Sequence, residues 1–310
     1  MSLLKSGARL VLLLACGGGL SSCYDDWYGN NFINWYVDPV FGSNVYGNGS
    51  PYYPFKTIGQ ALQVSIPGDG VILAPGTYSA TNGEVFPLLV KPGVAILGDP
   101  STRGSSTSVI GGGSYTIQGG LQIGNIITTA FVMGSGSQLS GVKVTVAGAA
   151  GVGVVFDGNS GSLISCTLTS CGASGVRVYE AASPTITDNV ISNNGGTGVT
   201  LFDTASPNLR QNQILNNATD GILANDTSNP NLGDGVTAGA NTIQGNTGVG
   251  LNNATTASTL SAVGNTWALM VLQGSDASGQ YPTHPLVSGP TGGAPGDNFS
   301  ITNAAAKIQF

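Results

Sequence analysis

Three lines of twenty-three residues lie in register between positions 163 and 231: LISCTLTSCGASGVRVYEAASPT (163–185), ITDNVISNNGGTGVTLFDTASPN (186–208) and LRQNQILNNATDGILANDTSNPN (209–231). Leu163, Ile186 and Leu209 share a column, as do Leu168, Ile191 and Ile214, then Gly175, Gly198 and Gly221, then Pro184, Pro207 and Pro230. One such unit cannot bury its apolar positions alone, so its copies must stack and the stack must be capped. Leucine-rich repeats have a comparable period but need L-x-x-L-x-L and a helical return. Here each line holds short β-branched stretches parted by Gly, Asn or Ser-Pro turns. The fold this implies is all-β: a right-handed, single-stranded parallel β-helix of about eight or nine coils, stacked at the inter-strand spacing of about 4.8 Å. Asn189 and Asn212, with Cys166 above, and Asn194 and Asn217, with Cys171 above, form two further columns. Asparagines repeated at a bend can hydrogen-bond to their copies and satisfy the polar groups there.

Only 8% of the residues are charged. Stacking explains this economy, because it sets every charge beside its own copy. With nine Lys plus Arg against fifteen Asp plus Glu, a basic nucleic-acid surface is excluded. Cys166 and Cys171 lie five positions apart on extended chain, too far to bridge, and should be buried free thiols.

Residues 1–23 read as a signal and tether: Lys5 and Arg9, the apolar run Leu10–Leu14, then Leu13-Leu14-Ala15-Cys16 and Leu20-Ser21-Ser22-Cys23. Both cysteines resemble the acylation site of a bacterial lipoprotein signal, and the alternative is an ordinary cleaved secretory peptide. The expected location is the cell envelope, with a membrane contact through lipidated Cys16 or Cys23. Residues 24–66 form an aromatic-rich N-terminal cap, with Phe55, Ile58 and Leu62 at helical spacing over 55–63. Residues 67–267 hold the coils, and 268–310 a C-terminal tail expected to cover a face. Eleven aromatics fall between Tyr24 and Phe55, and they are expected mainly to pack the cap.

The runs YVDPVFGSNVYGNGSPYYPFKTIGQAL (36–62), PGDGVILAPGTYS (67–79) and NGEVFPLLVKPGVAILGD (82–99) resemble a bacterial family of unknown function. The resemblance implies a pectate-lyase-like parallel β-helix, often behind a lipoprotein or secretion signal, and supplies no catalytic residues. Wider relatives include polysaccharide lyases, with a basic residue beside calcium-binding aspartates, and hydrolases with clustered aspartates and a Gly-His-Gly. This chain departs from both. Its Asp25-Asp26 pair adjoins the signal, and its single histidine, His284, lies near the tail.

Two columns carry the chemistry on offer. Asp157, Glu180, Asp203 and Asp226 recur at the repeat, with Asn253 after an insertion. Carboxylates about 4.8 Å apart repel by about 0.9 kcal/mol in water. Bound Ca²⁺ would relieve that repulsion, so these four acids are candidate metal ligands. The structural alternative is that Asp and Asn are good turn residues. One position earlier run Phe156, Tyr179 and Phe202, which strand alternation places on the outward face with Arg177. An outward aromatic stripe beside acids and Arg177 suits a sugar chain. Polysaccharide is therefore the expected partner of a non-catalytic scaffold. Two alternatives stand beside it: a polysaccharide lyase or glycoside hydrolase with Arg177 as base and Glu180 and Asp203 as ion or acid groups, and a purely structural or adhesive rod. Oligomeric state is not legible.

Overall fold

The computed structural model describes residues 32–256 and 259–267, together with three short strands beyond them, Leu286–Val287, Phe299–Ile301 and Lys307–Gln309. The segment read as a signal, with Cys16 and Cys23, and Asp25, Asp26 and His284 lie outside the described residues. The chain winds through three parallel sheets, the longest nine strands high, with one strand per sheet contributed by each full coil. It is an all-β parallel β-helix, as the repeat requires.

Register shows how the repeat becomes a wall. Ile186 pairs with Leu163 below and Leu209 above, and Ile191 pairs with Leu168 and Ile214. All six side chains are fully buried. Each column is thus an apolar stack running along the axis, and the interior is the sum of such stacks.

The bends between strands follow one rule. A single residue in the left-handed region turns the chain: Ser165, Asp188, Gln211 and Ala240 at one corner, and Ser170, Asn193 and Asn216 at another. The next residue inward is the ladder position. Asn189 Oδ1 accepts from the Cys166 N–H at 2.9 Å, Asn212 Oδ1 from the Asn189 N–H at 3.0 Å, and Asn241 Oδ1 from the Asn212 N–H at 2.9 Å. Asn265 continues this ladder. The second runs Cys171, Asn194, Asn217, Asn246 in the same geometry. Each amide Nδ2 also donates to a carbonyl inside the coil, as Asn212 does to Ile186 O at 2.7 Å. Buried amides are affordable here because both ends are satisfied. Cys166 and Cys171 occupy the tops of these ladders as buried free thiols, and burial pushes both up to about 12.

The cap helix is Ile58–Val64, starting later than expected because Thr57 is its N-cap. Its Oγ1 accepts from the Gln60 N–H. Ile58, Ala61 and Leu62 are buried over the first coils. Glu84 closes the helix N-terminus, its two oxygens accepting from the Ile58 and Gly59 N–H groups at 2.8 Å each. Burial raises its pKa against those bonds. Of the eight described aromatics among those expected mainly to pack the cap, Phe55 is buried and Trp35 and Tyr36 half-buried, while Phe32, Phe41, Tyr46, Tyr52 and Tyr53 are exposed. At the far end the described tail strands extend the sheets. Phe299–Ile301 pairs with Leu251–Asn253, and Lys307–Gln309 with Thr259–Ser261.

Candidate functional site

The acid column stands at the end of the third sheet's strands, where Ser174–Tyr179 and Val199–Leu201 run out into a corner. Glu180, Asp203 and Asp226 all turn the chain there, with φ of 57°, 57° and 58°. An aspartate tolerates this conformation because its short side chain can bond locally. Here it bonds to the coil before it. Asp203 Oδ2 accepts from the Glu180 N–H at 3.0 Å, and Asp226 Oδ2 accepts from the Asp203 N–H at 2.8 Å. Asp203 and Asp226 thus offset part of their mutual repulsion by each taking a neighbouring coil's N–H.

Two positions leave the column that the repeat suggested. Phe156 pairs with Val178 and Asp157 with Tyr179, a step of 22 residues, not 23. Six steps separate Phe156 from Ser162, but seven separate their partners Val178 and Thr185, so the upper turn holds one residue more. Phe156 consequently points into the apolar interior, fully buried, and is no part of an outward stripe. Gly158, at φ 66°, takes the left-handed turn position below Glu180. Asn253 also falls elsewhere: it pairs with Ala224, and Thr255 stands opposite Asp226.

Tyr179 and Phe202 do form an outward pair, their rings stacked at 4.9 Å and 7°. The pair is covered, however. Gly113–Thr116 pairs antiparallel with the start of Ile126–Val132, and the loop between them folds across the third sheet. Ile117 and Ile127 pack with Val152, Val155 and Tyr179 into a second apolar cluster, leaving Tyr179 2% exposed and Phe202 half-buried. Among the described residues the cover comes from 113–125, and most of the tail expected to cover a face lies outside them.

The acids hold this hairpin down. Asp157 Oδ2 accepts from the Tyr115 hydroxyl and the Gln118 N–H, both at 2.8 Å. Asp203 Oδ1 accepts from the Leu121 N–H at 2.6 Å. Between them Gly119 and Gly120 press on the carboxylates: a Cβ at Gly119 would meet Glu180 Oε1 at 1.9 Å, and one at Gly120 would meet Asp203 Oδ2 at 2.2 Å. At Gly120, with φ 67°, a Cβ would also be strained, and at Gly119 it would push the Glu180 side chain aside. Burial, then the bond to Asp157, raises the Tyr115 phenol. Burial likewise raises Tyr179, partly offset by Arg177, whose guanidinium hydrogen-bonds its hydroxyl. Arg177 Nε also donates to Ser174 Oγ at 3.3 Å.

Of the sequence candidates, the structure gathers Arg177, Tyr179, Phe202, Asp157, Glu180 and Asp203 beneath or beside one hairpin. It does not turn the acids toward a common point. Among the described residues no three His, Cys, Asp or Glu side chains group as a metal site, so Asp157, Glu180, Asp203 and Asp226 do not fit a Ca²⁺ centre as a set.

Residues 40–271 match the model of a family described as "Protein of unknown function (DUF1565)". The chain belongs to that family. No curated protein matches. Among solved structures the chain is similar to a GH136 lacto-N-biosidase from Eubacterium ramulus, at 10% identity and TM-score 0.36 in its native form, covering 76% of this chain and 64% of the other. Its selenomethionine derivative gives 10% identity and TM-score 0.39, over 89% and 68% of the two chains. A rhamnogalacturonan lyase gives 14% identity and TM-score 0.31, over 78% and 64%. The chain thus spans less than two thirds of the length of the native biosidase and of the lyase.

Two features lie outside the repeat, the first not anticipated and the second anticipated only as part of an aromatic-rich cap. One is the hairpin, whose signal is Gly119-Gly120 between two β-branched stretches. The other is the loop 38–54 of the cap, which carries Phe41, Tyr46 and Tyr52 at 85%, 86% and 88% exposure. Its signal is a run of seventeen residues, 39–55, without Asp, Glu, Lys, Arg or His.

Proposed function

We propose that this is an exported, lipid-anchored β-helix scaffold that holds polysaccharide on the outward face of its third sheet without cleaving it. One observation carries the non-catalytic reading: the Asp157, Asp203 and Asp226 carboxylates are hydrogen-bond acceptors for their own fold. Glycoside hydrolysis asks two carboxyl groups to face one sugar bond. These face backbone N–H groups and a tyrosine. A ligand can still meet the half-buried Phe202 ring, Leu223, and Arg177, whose five N–H donors exceed what Ser174 and Tyr179 take up. A sugar's apolar face suits the ring, and its hydroxyls suit the guanidinium. The distal carbohydrate enzymes contribute nothing to this beyond the fold.

A glycan array probed with the full chain tests it. Hits should weaken by roughly tenfold in both Phe202→Ala and Arg177→Ala, the loss of about 1.4 kcal/mol of contact. An array without hits, or hits indifferent to both substitutions, removes polysaccharide as the partner. Palmitate labelling lost in neither Cys16→Ala nor Cys23→Ala removes the anchor.

A further inference from the structure

We infer that the cap loop 38–54 is a membrane-interface contact, a second hold on the bilayer beside the N-terminal acyl group. The inference rests on the lipid-anchored reading above.

The loop shows Val40, Phe41, Val45, Tyr46, Tyr52 and Tyr53 to the outside, all at least 65% exposed. Exposed apolar side chains in such density mark a contact surface. Three observations say what it contacts. First, most of the loop's N–H groups are taken up within the cap. Asp38 Oδ1 accepts from the Val40 and Phe41 N–H groups at 2.8 and 2.9 Å, and Ser43 Oγ from those of Val45 and Tyr46 at 3.2 and 3.1 Å. The N–H groups of Gly42, Ser43, Gly47, Asn48, Gly49 and Tyr53 find carbonyls within the cap. Contact with lipid favours that, since lipid offers N–H groups few partners.

Second, the polar side chains that a sugar would need are spent on the same framework. Asn44 Oδ1 accepts from the Lys56 and Thr57 N–H groups, its Nδ2 donates to Thr57 Oγ1, and Asn48 Oδ1 accepts from the Ser50 N–H. What the loop presents is ring and methyl surface with tyrosine hydroxyls, the chemistry of the aromatic belt at a bilayer interface. Third, the chain between anchor and cap is short enough to keep the loop within reach of the bilayer. Phe32 lies nine residues after Cys23 and sixteen after Cys16, at most roughly 30 or 55 Å of extended chain. One acyl chain holds only weakly, whereas several anchor stably, and a contact through the protein surface adds to either. A polybasic patch is the usual second signal. This acidic chain, net −6, has none in the loop, and the aromatic loop takes its place.

The test is co-sedimentation of the full chain with phosphatidylcholine vesicles, in a Cys16→Ser/Cys23→Ser background so that acylation contributes nothing. Adding Phe41→Ser, Tyr46→Ser, Tyr52→Ser and Tyr53→Ser should lower partitioning by roughly tenfold or more, with an unchanged melting temperature as the control for folding. Tyr52→Trp, which should raise partitioning, keeps the question open to refutation if the quadruple variant fails to fold. Equal partitioning of parent, serine and tryptophan variants overturns the inference. So does a glycan-array hit that the four serine substitutions abolish, which would make the loop's occupant a sugar. Absence of acylation in the parent chain removes the anchor reading alone, and the vesicle comparison still judges the loop.

Discussion

A carboxylate at a left-handed turn can serve as both bend and clamp, and Asp203 does both. Its backbone turns the coil at φ 57°, and its oxygens take the N–H of Glu180 and that of Leu121. Asp203→Ala strips two donors of their acceptor and forces a Cβ residue without local bonding into the left-handed region. The expected cost is roughly 2–4 kcal/mol, while Asp203→Asn, which tolerates the turn but keeps one acceptor of two and sets its amide NH2 against the other N–H, should cost less, about 1–2 kcal/mol. Urea denaturation at constant m-value reads the difference, and an alanine variant as stable as the parent would dismantle the ladder account. The thiols offer a second check. Buried at 0% exposure and pushed up to about 12, Cys166 and Cys171 should not react with Ellman's reagent at neutral pH in the Cys16→Ser/Cys23→Ser chain. Both should titrate once it is denatured. At this scale the ladder columns were legible in sequence, because a 23-residue step repeats wherever the turns have equal length. Phe156 was not legible, because one missing residue after Asp157 shifts only its own strand.

The element that changes the reading of the site is the hairpin at 113–125. It converts an outward aromatic pair into a buried one, and it converts a row of acids into a set of fasteners. Its grip depends on close approach at Gly119 and Gly120. Gly119→Val should displace the loop from Glu180 at a cost of roughly 1–3 kcal/mol, as overpacked contacts do. Tyr179 should then become open to nitration by tetranitromethane, comparable with exposed Tyr46, whereas in the parent chain it is protected. Nitration of Tyr179 in the parent at the rate of Tyr46 would contradict the covered face. Sequence could show that 113–125 breaks the repeat. It could not show where the insertion lies, because its contacts are to Asp157, Glu180 and Asp203, tens of residues away, and follow from the winding of the coils between.

At the scale of the molecule, few interactions tie distant coils other than the stacks themselves. One is Arg103, itself in a left-handed turn, which donates to the Asp188 carbonyl and pairs with its carboxylate across 85 positions of sequence. Partial burial works against the Asp188 charge, but the bonds from Arg103 and Ser165 outweigh it and hold the carboxyl below its usual value of 3.8. A depressed folded-state pKa contributes stability that is present above the unfolded value and is lost as pH falls through the folded one. The parent should therefore lose stability below about pH 4. Arg103→Ala should flatten that part of the acid profile, measured as melting temperature against pH. The effect is small because the pair is more than a third exposed. Unchanged pH dependence in the variant would mean that the pair carries no linked proton. Periodicity alone specifies the parallel β-helix, the axial stacks of Leu, Ile and Val, and the asparagine ladders, because each rests on neighbours one coil apart, a distance that the repeat encodes. Which faces stay open depends on contacts between segments outside the repeat. The hairpin that buries Tyr179 and the cap loop that bares Phe41 and Tyr52 are excursions outside the repeat. Their positions are set by packing and hydrogen bonds between segments that no period relates.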